Sequence, residues 1–449
     1  MEITLNKKSN TEGLIKIKVS EGDYQPHVEE KVKDYARKAN IKGFRQGKVP
    51  AGVIRKMFGK SILVDEINHL LSHKLSDYIK ENNLKLIGDP LPNQEKTRDI
   101  NWDNQKDFEF EYQIGMVEDF KYDLSTAVKV KSYDIKLDDK VINETIDDLK
   151  KRFGNVSNPE ASAAGDNLFG ELTRKDDPSF KKEHAFIAVD KVEKKEQKKF
   201  IGKKIDDVVE FDIDKVFSDD KQKAQLLSVT PEEASKEKGS YVLTIKTVSR
   251  TEPAEANQEL FDRVFGKGAV DNEAAFIDKV KQTIGENYKR ETDHFLDHHI
   301  EDYFIEHTKI NVPDDFLKNW LKVTSNGEVT DSVLDKEYKD YLRGLKWDLI
   351  KTKIGDDHGI KVEADEVRAK AKDLIVAQFG GQAFAEQLKD RMDAITENYL
   401  SNENGQNFMR LYNQLKAEKI LAHIKSNITV QKEKVTADEF KKIVEEHKH

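Results

Sequence analysis

Cysteine is absent from the 449 residues, which excludes disulfides, thiol catalysis and cysteine-based zinc or iron–sulfur sites together. No segment approaches the roughly 18 consecutive apolar residues of a membrane-spanning helix, so no membrane partner is expected. The first residues, Met1-Glu2-Ile3-Thr4-Leu5-Asn6-Lys7-Lys8, alternate apolar and polar side chains like a strand, with no unbroken apolar stretch for a secretory signal. A cytosolic protein is expected. A phosphate-binding loop is missing too: Gly59-Lys60-Ser61 has the ending of one, but Ile54 stands where that motif needs glycine. No nucleotide site or other cofactor is expected, and any action should be independent of ATP.

What is abundant is charge. Charged residues make up 36% and apolar ones 37%, a balance that suits long solvated amphipathic helices better than one large interior. The length points to about three domains.

From residue 1 to about 112 the pattern is α+β. Ile15, Ile17 and Val19 alternate with Lys16 and Lys18 as a strand, and Phe108, Phe110 and Tyr112 alternate with Glu109 and Glu111 as another. Val28, Val32 and Tyr35 recur at helical spacing, with Pro26 near the helix start. A second helix begins at Pro50 with Val53, Ile54 and Phe58; a longer one carries Ile62, Ile67, Leu70, Leu71, Leu75 and Ile79. Residues 113–150 read as an extended connector and a helix through Val141, Ile142, Ile146 and Leu149. Residues 151–250 turn strand-like, at 186–189, 208–213 and 241–245, and form a small second domain.

From about 255 the chain reads as helical to residue 449. Phe276, Val280, Ile284, Tyr288, Phe295 and Tyr303 keep a near four-residue spacing, longer than the ~11-residue average helix, and mark an arm. Three acidic helix openings follow short extended pieces, at 310–315, 360–365 and 435–439, the last with capping-box spacing from Thr436 to Glu439.

One stretch breaks the acidic balance. Arg37, Lys38, Lys42, Arg45, Lys48, Arg55, Lys56 and Lys60 fall between 37 and 60 with no Asp or Glu; removing these eight charges from a net −9 leaves −17 for the rest. A chain this acidic repels RNA elsewhere, so a polyanion would be met here. At its centre, Gly43 and Gly47 permit backbone angles other residues avoid, Val49 is pushed extended by the following proline, and Pro50 can open the next helix. The result is a tight tip offering the Phe44 ring, the Arg45 fork and the Lys48 point charge.

Gly43-Phe44-Arg45-Gln46-Gly47-Lys48-Val49-Pro50 resembles the ribosome-binding signature of bacterial trigger factor, and the likeness extends through Glu252-Pro253, Leu260-Phe261 and Ile310-Asn311-Val312-Pro313. The resemblance implies a ribosome-binding domain over 1–112, a linker and connecting helix over 113–150, an FK506-binding-protein-like α+β middle domain over 151–250, and a large all-helical substrate cradle with arms over 251–449. It implies an ATP-independent chaperone that meets nascent, unfolded polypeptide at the exit tunnel. The ribosome contact, to RNA and protein of the large subunit, would be made by Gly43, Phe44, Arg45, Gly47 and Lys48. A homodimer of the free protein is left open.

The family's middle domain is a peptidyl-prolyl isomerase that works through an aromatic-lined pocket without covalent catalysis. Phe200-Ile201-Gly202-Lys203-Lys204 matches the segment ahead of a sheet strand. Residues 192–199, however, are highly charged where the family has a proline- and glycine-bearing apolar loop, and its acidic–aromatic pair is not recognisable in 167–172. Phe169, Phe186, Phe211 and Tyr241 are the candidates for a vestigial proline pocket, no catalytic residue is assigned, and the domain reads as degenerate. Phe316, Trp320, Leu321, Trp347, Phe379, Phe384 and Phe408 are candidate client contacts. His294, His298 and His299 include an i, i+4 pair but lack the metalloprotease Glu, so they read as a solvated helix face and no metal is assigned. Two alternatives remain: a folding isomerase, and a general RNA-binding or assembly factor.

Overall fold

A computed structural model describes residues 1–45, 47–98, 100–177, 179–378, 386 and 388–447. It divides into two compact units, Met1–Lys131 with Leu296–Gln431, and Ser132–Phe295 with Lys432–His449.

The first unit opens with strands β1 (Glu2–Lys7) and β2 (Glu12–Val19), helices α1 (Glu21–Lys38) and α2 (Ala51–Glu81), and strands β3 (Leu91–Pro92) and β4 (Phe108–Gly115). The sheet is antiparallel in the order β1-β2-β4-β3. Strand alternation puts Ile15, Ile17 and Val19 on the same face as Phe108, Phe110 and Ile114, where Tyr24, Val28 and Val32 of α1 and Ile54, Ile67 and Leu71 of α2 cover them. Each such side chain contributes about 1.5–3 kcal/mol on burial, so this face holds the domain together.

Both helices depart from the expectation. α1 starts before Pro26: Ser20 and Asp23 form a capping box, the Ser20 amide donating to Asp23 at 2.8 Å. Pro26 therefore lies inside the helix and withholds a donor from the Gly22 carbonyl, which is exposed and can take water instead. α2 is one helix of 31 residues, where two were expected. Gly59 costs about 1 kcal/mol relative to alanine in a helix interior, less than is gained by burying Ile54 and Ile62 on either side of it.

On the other face of β4, Glu111 is buried and accepts hydrogen bonds from Asn93 and Lys96 and an ion pair from Lys16 at 2.8 Å. Burial alone would raise its pKa, but these donors outweigh it and hold it at about 2. A depressed carboxyl stabilises the fold above its unfolded pKa and loses that contribution as pH falls through the folded one. Acid unfolding of the wild type will therefore steepen between about pH 4.5 and pH 2, and Glu111→Gln will flatten that window while costing about 2 kcal/mol at neutral pH. Urea titrations across that range, followed by tryptophan fluorescence, check both.

The C-terminal part of the first unit is helical. Leu296, Ile300 and Phe304, near the end of the 35-residue helix Glu273–His307, pack with Trp347, Ile350 and Ile354 of Asp331–Asp357 and with Ile420 and Ile424 of Met392–Asn427. Among the described residues a strand, Thr429–Val435, follows these helices and pairs with Lys129–Ile135. In a second cluster, Phe316 and Leu317 of helix Asp314–Thr324 pack with Ile87 and Leu91. Gly115 makes room for this, since a Cβ there would lie 2.4 Å from the Phe316 ring.

The second unit holds a five-stranded antiparallel sheet. Ser240–Glu252 runs between Asn167–Arg174 and Val208–Asp212, with Asn155–Ser157 and Lys181–Ala188 at the margins. Its core is built on Leu168, Leu172, Ile187, Phe211, Tyr241 and Leu243, closed by Phe200, Val216 and Leu226. Buried Asp166 is clamped by Arg250 through two hydrogen bonds of 2.8 and 2.9 Å. The first half of Glu273–His307 stacks Phe276 on Phe261, ring centroids 4.6 Å apart, and buries Val280 and Ile284. The capping box read at Thr436 and Glu439 opens the last helix, Ala437–His447.

Candidate nucleic-acid interface

α1 ends when the Ala39 amide reaches back to the Tyr35 carbonyl at 2.7 Å. Two turns then follow in succession, closed by the Phe44 amide on Ile41 at 3.0 Å and the Lys48 amide on Arg45 at 2.9 Å. Gly43 and Gly47 have φ of +98° and +76°, the left-handed region that a side chain resists, which is why glycine stands at both. Val49 is 5% exposed and packs into the domain core, Ile41 is half-buried, and Pro50 caps α2. The tip is thus pinned at both ends, while Lys42, Gly43, Phe44, Arg45, Gly47 and Lys48 are all exposed. Gln46 lies outside the described residues.

The eight basic residues are not equivalent in space. Arg37 pairs with Asp34 at 3.6 Å, Arg55 with Glu29 at 3.4 Å and Lys60 with Asp103 at 2.9 Å, carboxylates that all come from outside the 37–60 window. Among the described residues, no carboxylate pairs with Lys38, Lys42, Arg45, Lys48 or Lys56. The free charge therefore concentrates at the tip and the adjoining helix ends.

Beside it lies apolar surface that sequence periodicity assigned to core or passed over. Tyr35 and Phe58, ring centroids 6.4 Å apart, are exposed, as is Met57 at 55%. Tyr35 and Phe58 continue the helical stripes of Val28–Val32 and Ile54 yet stay exposed, although Ile54 and Ile62 on either side of Phe58 are buried. Unpaired cations around exposed rings and a thioether suit a partner with both phosphate and apolar surface.

The four middle-domain aromatics do not form one pocket. Phe211 and Tyr241 are core side chains on the inner face of the sheet, rings 6.4 Å apart. Phe169 and Phe186 are cross-strand partners on the other face, 5.1 Å apart, with Phe169 exposed. The alternation of a strand forces this, because Phe169 neighbours buried Leu168 and must point the opposite way.

Of the client candidates, Phe316 and Trp347 are buried in the packing described above and are core side chains. Trp320, Leu321 and Phe408 are half-buried, and Phe379 and Phe384 lie outside the described residues. Among the described residues, Val323, Leu374 and Met409 are the exposed large apolar side chains of these helices; Leu374 and Met409 sit beside apolar neighbours, so sequence alone does not single them out. His299 Nδ1 lies 3.2 Å from the Lys131 carbonyl oxygen, and among the described residues no three His, Asp or Glu gather at metal-binding separation. No helix of the described residues is long and apolar enough to cross a membrane.

Three family models match the chain in order: bacterial trigger factor protein over residues 1–149, the FKBP-like domain of probable trigger factor over 156–253, and its C-terminal domain over 292–444. The chain is similar to the trigger factor of Prosthecochloris aestuarii, 25% identical with 96% of this chain and 98% of that one covered. It is similar to that of Pelagibacter ubique, 24% identical with 100% and 90% covered. A solved structure reported for promiscuous substrate recognition in folding and assembly by the trigger factor chaperone aligns at TM-score 0.44 and 17% identity, covering 95% of this chain and 99% of that one. The outward basic tip and the three models in succession lead to one assignment: the chain belongs to the trigger factor family of ribosome-associated chaperones.

Proposed function

We propose that the chain docks on the large ribosomal subunit near the exit tunnel through Gly43, Phe44, Arg45, Gly47 and Lys48, and holds nascent polypeptide in the cytoplasm without ATP. The observation that carries this is the tip: two glycines in left-handed geometry present Arg45 and Lys48 outward with no carboxylate partner among the described residues. Arg45 would meet phosphate as a fork, Lys48 as a point charge, and Phe44 an apolar spot on ribosomal protein or base. Docking raises the local concentration of chaperone at the emerging chain, so weak contacts suffice. Val323, Leu374 and Met409, with half-buried Trp320, Leu321 and Phe408, are the proposed client contacts. The division of labour follows the segments 1–112 for docking, 113–150 for connection, 151–250 for the FKBP-like domain and 251–449 for client holding. A photo-crosslinking amino acid in place of Phe44 will join the chain to ribosomal RNA or protein. The same probe at Phe408 will label nascent chain on translating ribosomes. A Phe44 probe that yields no ribosomal adduct overturns the docking site.

Isomerase activity is not part of the proposal. Phe211 and Tyr241 are consumed in the core and Phe169 and Phe186 face away from them, so these four cannot together strip water from an X-Pro amide. The intact chain will leave the rate of a proline-limited refolding reaction unchanged. A clear acceleration with a folded model substrate would restore the isomerase reading.

A further inference from the structure

The middle domain carries a second cationic surface, in the stretch where the chain departs from the family's apolar loop. Residues 191–204 hold seven lysines, Lys191, Lys194, Lys195, Lys198, Lys199, Lys203 and Lys204, against Glu193 and Glu196, a local +5 in a chain of net −9. An acidic chain has no need of such a cluster for solubility.

The backbone beneath these lysines is fixed. Val192 and Phe200 are buried in the sheet core, and the Gln197 side-chain amide donates to the Val192 carbonyl at 2.9 Å. Ser162 ties the end of the segment four times, its amide donating to the Lys203 carbonyl at 2.9 Å. Its hydroxyl donates to the Phe200 carbonyl at 2.6 Å and accepts from the Lys203 amide at 2.8 Å, and its carbonyl accepts from the Gly202 amide at 2.7 Å. The Glu193 amide is held by the Val216 carbonyl at 3.0 Å. A flexible charged loop would pay conformational entropy on meeting a ligand, and this one has lost most of it already.

The charges remain available. Lys191 pairs with Asp190, Lys199 with Glu196 and Lys204 with Glu160. Lys194, Lys195, Lys198 and Lys203 pair with no carboxylate among the described residues, and the first three are exposed. The cations of the segment are all lysines, with no arginine fork, and its one aromatic, Phe200, is buried. Point charges without a stacking platform bind a phosphate backbone and read no sequence.

We propose that Lys194, Lys195 and Lys198 form a second contact of this protein, with the RNA phosphate backbone, independent of base sequence. The choice of RNA over other polyanions rests on the ribosome as partner; the site itself is separate from the tip. The test is fluorescence anisotropy of the intact chain with a random-sequence single-stranded RNA. It uses wild type, Arg45→Ala/Lys48→Ala, and the latter with Lys194→Gln, Lys195→Gln and Lys198→Gln added, each checked for native circular dichroism. In the tip-altered background the three glutamines will lower RNA affinity about 10-fold or more. They will also reduce the slope of log K against log salt by about 2, near 0.7 for each lost phosphate contact on a single strand. Unchanged affinity and slope overturn the proposal. So does loss of binding to anionic phospholipid vesicles or to a polyglutamate peptide while RNA binding persists. Naked RNA needs no ribosome docking, so failure of the tip as a docking site appears separately, as ribosome pelleting indifferent to Arg45→Ala/Lys48→Ala.

Discussion

Changing Arg45 and Lys48 together to alanine will weaken ribosome binding about 100-fold: two charge-assisted contacts of about 1.5 kcal/mol each sum to roughly two decades of affinity. Stability will not follow. Both side chains are exposed and contribute nothing to the core beneath them, so the unfolding midpoint should move by no more than an exposed surface change allows, about 0.5 kcal/mol. Suppression of client aggregation in solution should also persist, because the exposed apolar side chains Leu374 and Met409 are untouched. Arg55→Ala is the informative control. Its guanidinium already pairs with Glu29, so its loss removes less free charge than the loss of Arg45. An Arg55 variant as defective as the Arg45/Lys48 double would mean that net charge, not the tip, sets the affinity.

Gly170→Ala will unfold the middle domain, at a cost above about 3 kcal/mol, beyond the common range for single substitutions. A Cβ there would stand 2.1 Å from the Thr244 carbonyl oxygen and 2.9 Å from its carbon, on the strand hydrogen-bonded alongside. Backbone cannot swing away as a side chain tip can, and the pairing shifts register at Gly170 on the side of Lys181–Ala188 already. Amide exchange over Asn167–Val248 will lose its protection in the variant. Tryptophan fluorescence will not report the change directly, since Trp102, Trp320 and Trp347 all belong to the first unit. An alanine variant with native exchange rates would show that the two strands have room the geometry denies.

What the sequence disclosed was local. Period-two alternation identified Ile15–Val19 and Phe108–Tyr112 as strands because one face of each is buried, and the glycines at 43 and 47 announced a turn because only that residue type takes positive φ cheaply. The three successive family matches agree with the order of architecture read from those patterns. What stayed hidden was tertiary. Glu29, Asp34 and Asp103 neutralise three of eight cations from positions no window count includes. Two helices were read between Pro50 and Ile79, but packing on either side of Gly59 carries α2 straight through. An apolar aromatic on an amphipathic helix reads the same whether it faces a client or a neighbour. Phe316 proved to fill the space above Gly115, and Trp347 to join Phe304 and Ile350. Tyr35 and Phe58 erred in the opposite sense: they hold core spacing on their helices but are exposed, and periodicity cannot tell which members of a stripe a neighbour covers.

The most direct test of a tip that meets ribosomal phosphate is sedimentation of ribosomes with the wild-type chain across a salt series, with Arg45→Ala/Lys48→Ala alongside. The wild type will co-pellet at low salt and fall away steeply as salt rises, and the double variant will fail to pellet even at the lowest salt. Wild-type binding that ignores salt, or a double variant that pellets as well as wild type, would contradict it.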